Sequence, residues 1–538
     1  MNGAEALIAT LVDAGVEVCF ANPGTSEMQL VAAIDKNPRM RAILCLFEGV
    51  ASGAADGYGR MAEKPAATLL HLGPGLGNGL ANLHNARRAR TPLISIVGDH
   101  ATYHRNYDAP LTSDIAGIAG PMSDWVRTSE SAEGLADDGA AAVAAALDYP
   151  GKVTTLIVPA NHAWEEIGAE STTVIPAGAP RIGAESRDLT DVTRSRIAAA
   201  RRPGRQVERE SIDAAKSALR EGDAALFLGG MALREAALDQ AGRIADATGC
   251  RLICETFPAR HQRGAGRVAV ERLPYFGEMA ADSLQNIRQL IIAGSKAPVA
   301  FFAYPGKPGW LAPKDANIVT LADPRADPFA ALKALADAIG APLRHARAQP
   351  RMIPPSPSGK LDAAGIGAAV AELLPDDAIV SDECATAGLA IFPMTAGAAR
   401  HDWLNLTGGS IGQGLPLGLG AAVACPDRRV VCLQADGSAM YTVQALWTMA
   451  RERLDAATVI INNGSYAILN IELARVGAGE AGAKARALLD LTNPSIDWVK
   501  ISEGMGVPAR RATTAEEFRA AFALAIARKG PFLVEAVI

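Results

Sequence analysis

Short apolar runs that end in Gly, Asn, Asp or Ser recur along the chain, and they set the expected fold. In the first third, Val16 to Ala21 leads into Asn22-Pro23-Gly24 and a helix beginning near Thr25 or Ser26. Ala66 to Leu70, Leu93 to Val97 and Thr154 to Val158 share its unbroken apolar character, which suits strands buried on both faces. Ala224 to Leu228, Leu290 to Ala293, Val299 to Phe302 and Ile318 to Leu321 repeat the pattern in the middle of the chain. Val430 to Gln434, Thr458 to Ile461 and residues 530–538 repeat it near the end. The spacing leaves room for helices between the runs, which predicts an α/β protein of mostly parallel sheets flanked by helices, in three domains. These domains are placed at 1–165, 211–345 and 360–538. The linkers are 166–210, where arginines crowd around Pro203-Gly204, and 346–359, rich in Pro, Arg and Ser. No short repeat is present, so a solenoid is excluded.

Two polar clusters follow two of these runs: Asp436-Gly437-Ser438 after Val430 to Gln434, and Asn462-Asn463-Gly464-Ser465 after Thr458 to Ile461. One helix, roughly Val443 to Arg453, fits between them, so the stretch reads as strand, helix, parallel strand. Such a crossover puts both strand ends on the same rim of a sheet, where open α/β folds bind ligands. A carboxylate, a carboxamide and loop carbonyls form an all-oxygen donor set, which suits Mg²⁺ and the diphosphate it bridges and does not suit Zn²⁺. Taken singly, Asp436 is a common helix cap and Asn463-Gly464 a common turn. Their joint spacing favours metal and diphosphate.

Composition narrows the classes. Hydrophobic residues make up 49 % and charged residues 20 %, with 52 Gly and 32 Pro, a mixture of packed α/β domains with many turns. The formal charge of −6 gives no reason to expect nucleic acid or an anionic membrane as partner. Seven dispersed cysteines in apolar segments read as reduced, buried thiols of a cytoplasmic protein. Cys250 and Cys254 lack a partnering pair for a metal. No basic-then-apolar leader opens the chain. Leu406 to Cys425 is uncharged, but its glycines and Pro416 make it a buried loop and helix start and not a membrane span.

Three further features bear on chemistry. Gly73-Pro74-Gly75-Leu76-Gly77-Asn78-Gly79 follows Ala66 to Leu70 and reads as a glycine-rich loop allowing close backbone approach, though a plain turn has the same composition. Glu48 stands inside an apolar run, where a carboxylate suits either proton exchange or capping of the next helix. His71, just before the glycines, is a candidate acid, base or oxyanion donor, although a lone His is more often structural. His100 and His104, with Tyr103 and Asp108, are too loosely spaced for a metal site.

Taken together, Asn22-Pro23-Gly24-Thr25-Ser26-Glu27, Phe47-Glu48-Gly49 through Ala55-Asp56-Gly57-Tyr58, the 73–79 stretch, Gly408-Gly409-Ser410-Ile411-Gly412 and the Asp436 to Asn463 motif resemble, in this order, the thiamine-diphosphate-dependent 2-oxoacid decarboxylase and acetolactate synthase superfamily. Among its members the benzoylformate decarboxylases are similar. The resemblance implies thiamine diphosphate and Mg²⁺ as cofactors, with Asp436, Asn463 and the Ser465 backbone carbonyl as metal ligands. It implies that Glu48 protonates the aminopyrimidine ring, that the Gly409 carbonyl meets its amino group, and that the Ile411 side chain bends the cofactor into a V. Gly24, Gly437 and Ser438 match cofactor-binding positions; His71 and Thr25 match catalytic ones.

The implied activity is decarboxylation of a small or aryl 2-oxoacid, releasing an aldehyde or joining it to a second carbonyl. The contrasting reading is a non-catalytic, cofactor-binding paralogue that assembles with an active relative. The family works at a subunit interface, which implies a homodimer at least, and a homotetramer by its habit. FAD, retained by some relatives, is a minor alternative that Phe257 to Arg267 and the loop near Pro305 to Gly309 could touch, with no decisive local motif. Three departures stand out. Ala435 replaces the glycine before Asp436 and is expected to crowd the backbone, Phe47 replaces His or Gln before Glu48, and Pro305 stands where the benzoylformate type has a second histidine.

Overall fold

A computed structural model describes residues 1–168, 204–477 and 481–538. Most of the arginine-rich first linker lies outside these described residues. Three sheets organise the rest. The first is six-stranded and wholly parallel: β1 (Val18–Asn22), β2 (Arg41–Leu44), β3 (Ala66–Leu70), β4 (Leu93–Asp99), β5 (Trp125–Thr128) and β6 (Val153–Pro159), in the spatial order β2-β1-β3-β4-β6-β5. The second is also parallel: β7 (Ala224–Leu228), β8 (Arg251–Cys254), β10 (Glu271–Arg272), β11 (Gln289–Ala293) and β12 (Asn317–Ala322), in the order β10-β8-β7-β11-β12. The third runs β17-β18-β16-β15-β13-β14-β9. It comprises β13 (Ala378–Glu383), β14 (His401–Asn405), β15 (Val430–Ala435), β16 (Ala456–Asn462), β17 (Ala509–Ala512), β18 (Phe532–Val537) and β9 (His261–Arg263), whose pairing with β14 is its one antiparallel ladder.

The chain divides into two compact units. One comprises Met1–Arg202, Gly408–Cys425 and Thr442–Glu452; the other comprises Pro203–Thr407, Pro426–Tyr441 and Arg453–Ile538. Among the described residues no helix is long and apolar enough to cross a membrane. All seven cysteines are free and six are buried.

Two expectations need correction. Val299 to Phe302 is not a strand: one bridge, Val299 to Trp310, is all it forms, and Val299, Phe301 and Phe302 are exposed. Pro298 next to it has no N–H to give a ladder. Residues 73–79 are not a loop but the first turns of a helix, Leu72–Ala89. Two of its glycines face the helix that begins at Glu48: a Cβ at Gly75 would stand 3.3 Å from Glu48 Oε1, and the Ser52 hydroxyl donates to the Gly79 carbonyl at 2.9 Å. The concern over Ala435 also falls away, since its φ of −72° and ψ of 148° are ordinary for any L residue.

Helix Glu48–Ala62, which begins at the candidate carboxylate, is seated by Gly414–Ala424 from the same unit. Both are rich in Gly and Ala, so their backbones touch. A Cβ at Gly57 would lie 2.0 Å from the Leu417 carbonyl oxygen, and one at Gly420 would lie 1.8 Å from that of Ala54. Alanine in a helix is normally favoured over glycine by about 1 kcal/mol. Here the obstacle is backbone that cannot rotate away, and overpacking of about 1–3 kcal/mol or more outweighs the propensity gain. Gly420→Ala is therefore expected to lower the thermal midpoint, and a variant at least as stable as wild type would refute this packing.

Candidate active site

Glu48 is the first residue of its helix, preceded by extended Phe47 (φ −157°, ψ 137°). The helix start places the carboxylate beside the unpaired N–H groups of the first turn. It is 9 % exposed, and its Oε2 accepts from the Asn78 amide at 3.1 Å. The Phe47 ring folds back over the next turn, so that a Cβ at Gly49 would lie 2.4 Å from its Cε1. Gly49 makes room for the aromatic ring that departs from the family pattern.

His71 caps Leu72–Ala89 and projects from the end of β3. Its Nδ1 lies 2.7 Å from Glu27 Oε2 and 3.3 Å from the Ser26 hydroxyl. Glu27 is fully buried and also accepts from the Gly24 N–H and from Ser26 Oγ, both at 2.7 Å. An ionised carboxylate only accepts, so this network assigns a proton to Nδ1 and leaves Nε2 outside it. Gly24 and Gly98 are both forced by this arrangement: a Cβ at Gly24 would stand 2.2 Å from His71 Nδ1, and one at Gly98 would stand 1.8 Å from Glu27 Oε1. Thr25 is exposed, and the hydroxyl beside His71 is that of Ser26. Glu27 and Ser26 were readable in the sequence only as a helix start.

Residues 408–412 lie along Leu72–Ala89 in the same unit. His84 Nε2 meets the Gly408 carbonyl at 3.1 Å, Asn85 donates to the Ser410 carbonyl at 2.7 Å, and Asn82 and Thr442 donate to the Gly412 carbonyl at 3.3 and 2.8 Å. Gly409 (φ +76°) and Gly412 (φ +93°) turn in the left-handed region, which glycine alone enters freely. Ile411 between them is half-buried. Nothing in the local sequence marked His84, Asn82 and Asn85 as the holders of this segment. Asn82 and Asn85, three positions apart on one helix face, are the only trace.

The second unit holds the acidic motif. Pairing of β15 with β16 brings Ala435 opposite Ile461, so Asp436 and Asn463 emerge on one rim. Asp436 is 2 % exposed; Oδ1 accepts from the Gly437 N–H and Oδ2 from the Gly464 N–H, both at 2.8 Å. Burial raises its carboxyl above the usual range despite these N–H donors. Among the described residues no basic side chain pairs with it. Asn463 Oδ1 accepts from the Ser465 N–H at 3.0 Å, and the Ser465 hydroxyl donates to the Leu489 carbonyl at 3.0 Å. The Gly437 backbone lies under the Tyr466 ring, 2.5 Å from a built Cβ, and Ser438 Oγ takes a 2.6 Å bond from Gln434. A buried carboxylate with oxygen neighbours and no cationic side chain is what a divalent cation would complete. The described residues contain no cluster of three or more His, Cys, Asp or Glu side chains suited to a metal. This motif supplies one carboxylate, with an amide and a backbone carbonyl beside it.

A buried glutamate thus opens a helix in the first unit, and an Asp/Asn oxygen rim closes a strand crossover in the second. Residues 1–118 match the thiamine pyrophosphate enzyme, N-terminal TPP binding domain family, and residues 386–536 match its C-terminal TPP binding domain. The chain belongs to the thiamine pyrophosphate enzyme family, and it is an enzyme. It is 52 % identical, over 100 % of its length and 99 % of the relative's, to IlvX of Mycobacterium tuberculosis, which is named as a candidate acetolactate synthase large subunit. It is 27 % identical to the benzoylformate decarboxylase of Pseudomonas aeruginosa, over 97 % of this chain and 96 % of that one. A solved thiamine diphosphate-dependent 4-hydroxybenzoylformate decarboxylase of Rhodococcus jostii RHA1 superposes with a TM-score of 0.83 at 24 % identity, covering 99 % of this chain and 98 % of that one.

Proposed function

We propose that this protein decarboxylates a 2-oxoacid with thiamine diphosphate and Mg²⁺ and releases the aldehyde. The observation that carries the aldehyde branch is the His71–Glu27 pair: a fixed imidazole is equipped to return a proton to the product. In this reading Asp436, Asn463 and the Ser465 carbonyl hold Mg²⁺, with Gly437 and Ser438 beside the diphosphate. Glu48 holds a proton against the aminopyrimidine, Gly409 offers its carbonyl, and Ile411 and Gly24 shape the cleft. Thr25 is exposed and free to reach substrate. Thiamine diphosphate, when bound, supplies the nucleophilic carbon and the electron sink for CO₂ loss. The protein's residues orient, exclude water and move protons.

In the same reading the three sheets are the pyrimidine-binding, central and diphosphate-binding domains. Glu48 of one copy serves the cofactor held by a second copy in a homodimer or homotetramer, and the free thiols fit the cytoplasm. The test is to incubate the protein with thiamine diphosphate, Mg²⁺ and pyruvate, benzoylformate or branched 2-oxoacids, following CO₂ and carbon products. CO₂ with free aldehyde is the expected result. Acetolactate or an acyloin as main product would replace the aldehyde branch by carboligation, and no turnover of any 2-oxoacid would defeat the proposal.

Gly98→Ala gives a separate check. The new methyl group would displace Glu27 and loosen His71 without touching substrate, and misplacement by about 1 Å can cost about a hundredfold in rate. A fall in kcat of that order, with an altered pH–rate profile and cofactor binding retained, is expected from steady-state kinetics. An unchanged pH profile would remove Glu27 from the positioning role.

A further inference from the structure

The middle sheet reverses its winding at β7: β8 and β10 lie on one side, β11 and β12 on the other. Open α/β sheets bind nucleotides in the crevice outside the carboxyl ends of the strands flanking such a reversal, where glycine turns offer N–H groups to phosphate. The two turns here are Gly229-Gly230 after β7 and Gly294-Ser295 after β11. They have closed on each other. Gly229 N–H donates to the Ala293 carbonyl at 3.1 Å, and a Cβ at Gly294 would stand 2.4 Å from the Gly229 carbonyl oxygen. Glu255, the first residue after β8, occupies what remains. Its Oε1 accepts from the Gly230 N–H and its Oε2 from the Ser295 hydroxyl, each at 3.1 Å. A Cβ at Gly229 would lie 2.8 Å from its carboxyl carbon.

The two segments that the sequence offered to a flavin are also committed elsewhere. Arg260 pairs with Asp402 at 2.8 Å, His261–Arg263 is strand β9 in the third sheet, and Arg263 lies buried 3.7 Å over the Phe392 ring. Arg267 donates to the His401 carbonyl at 2.6 Å and pairs with Glu235 at 3.0 Å. Beside the 305–309 loop, Lys307 and Arg475 both grip Glu278, and the cavity there measures about 20 Å³. That is room for about one water.

We propose that Glu255 is a built-in plug of the nucleotide crevice, so that the middle domain of this chain takes neither FAD nor any other adenine dinucleotide. The carboxylate satisfies the donors a phosphate oxygen would use, and its charge repels phosphate. The test titrates wild-type, Glu255→Gln and Glu255→Ala proteins with ADP and FAD by calorimetry in EDTA, which silences a cation-dependent diphosphate site. Wild type is expected to purify without flavin absorbance and to bind neither ligand. Glu255→Ala, losing both bulk and charge, is expected to bind ADP at least about tenfold more tightly, and Glu255→Gln, losing charge alone, to show a smaller gain. Wild-type protein that carries flavin or binds ADP overturns the proposal, as does a folded Glu255→Ala protein with no gain. If Glu255→Ala does not fold, absence of any gain in Glu255→Gln overturns it equally.

Discussion

Glu48→Gln is expected to lower kcat for 2-oxoacid turnover by about 10²–10⁴-fold, which is about 3–5 kcal/mol of barrier, while the protein still folds and still binds thiamine diphosphate. The amide keeps the shape of the side chain, and its oxygen can still accept from Asn78, now 3.1 Å from Oε2. What it loses is the proton that a carboxyl group exchanges. Single-turnover kinetics with calorimetric cofactor titration separate the two effects. If the variant retains more than about a tenth of wild-type kcat, general acid–base work by Glu48 is wrong. If cofactor binding disappears with activity, Glu48 is a binding residue instead.

Asp436→Asn should give opposite results in two assays. Burial raises the Asp436 carboxyl in the cation-free fold, so its charged form is disfavoured there relative to the unfolded chain. The sign follows: the group's favourable contribution is complete below the ordinary carboxylate range and is lost as pH rises through the raised value. At neutral pH the cation-free wild type therefore carries a buried charge without a counter-ion. Asn removes it and keeps an acceptor for one of the 2.8 Å N–H bonds, although the other meets an NH₂ group. The cation-free variant is expected to unfold at a higher temperature than wild type at pH 7, a difference that narrows toward pH 3. Stabilisation by Mg²⁺ and thiamine diphosphate is expected for wild type and should vanish in the variant, because binding energy is stability by mass action. Differential scanning calorimetry with and without Mg²⁺ and cofactor reads both. A variant that still gains stability from them would move the metal site away from Asp436.

Much of this was legible because buried parallel strands are written as unbroken apolar runs. Ala66–Leu70 and Ala224–Leu228 sit where the pattern put them. Central strand β13 escaped notice, since Ser381, Asp382 and Glu383 close it, and they are tolerated only because β14 and β15 pair on either side. Val299 to Phe302 misled for the converse reason: apolar residues without a neighbouring edge make no strand. The glycines at 73–79 looked like a loop because glycine is costly in a helix. At Gly75 and Gly79 the missing side chain lets Glu48 and Ser52 lie against that helix.

For the site, the sequence by itself determined the ingredients: a glutamate inside an apolar run, a histidine at a strand end, and Asp436 and Asn463 one crossover apart. Their residue types and spacing suit proton exchange and an oxygen-ligated cation, and they equally suit a helix cap and a turn. Only the tertiary structure decided that Glu27 anchors His71, that Asn82, His84 and Asn85 hold 408–412, and that Glu255 fills the middle crevice. Each of these contacts joins residues far apart along the chain. Periodicity reports which face a side chain occupies, and it carries no information about what comes to meet it there.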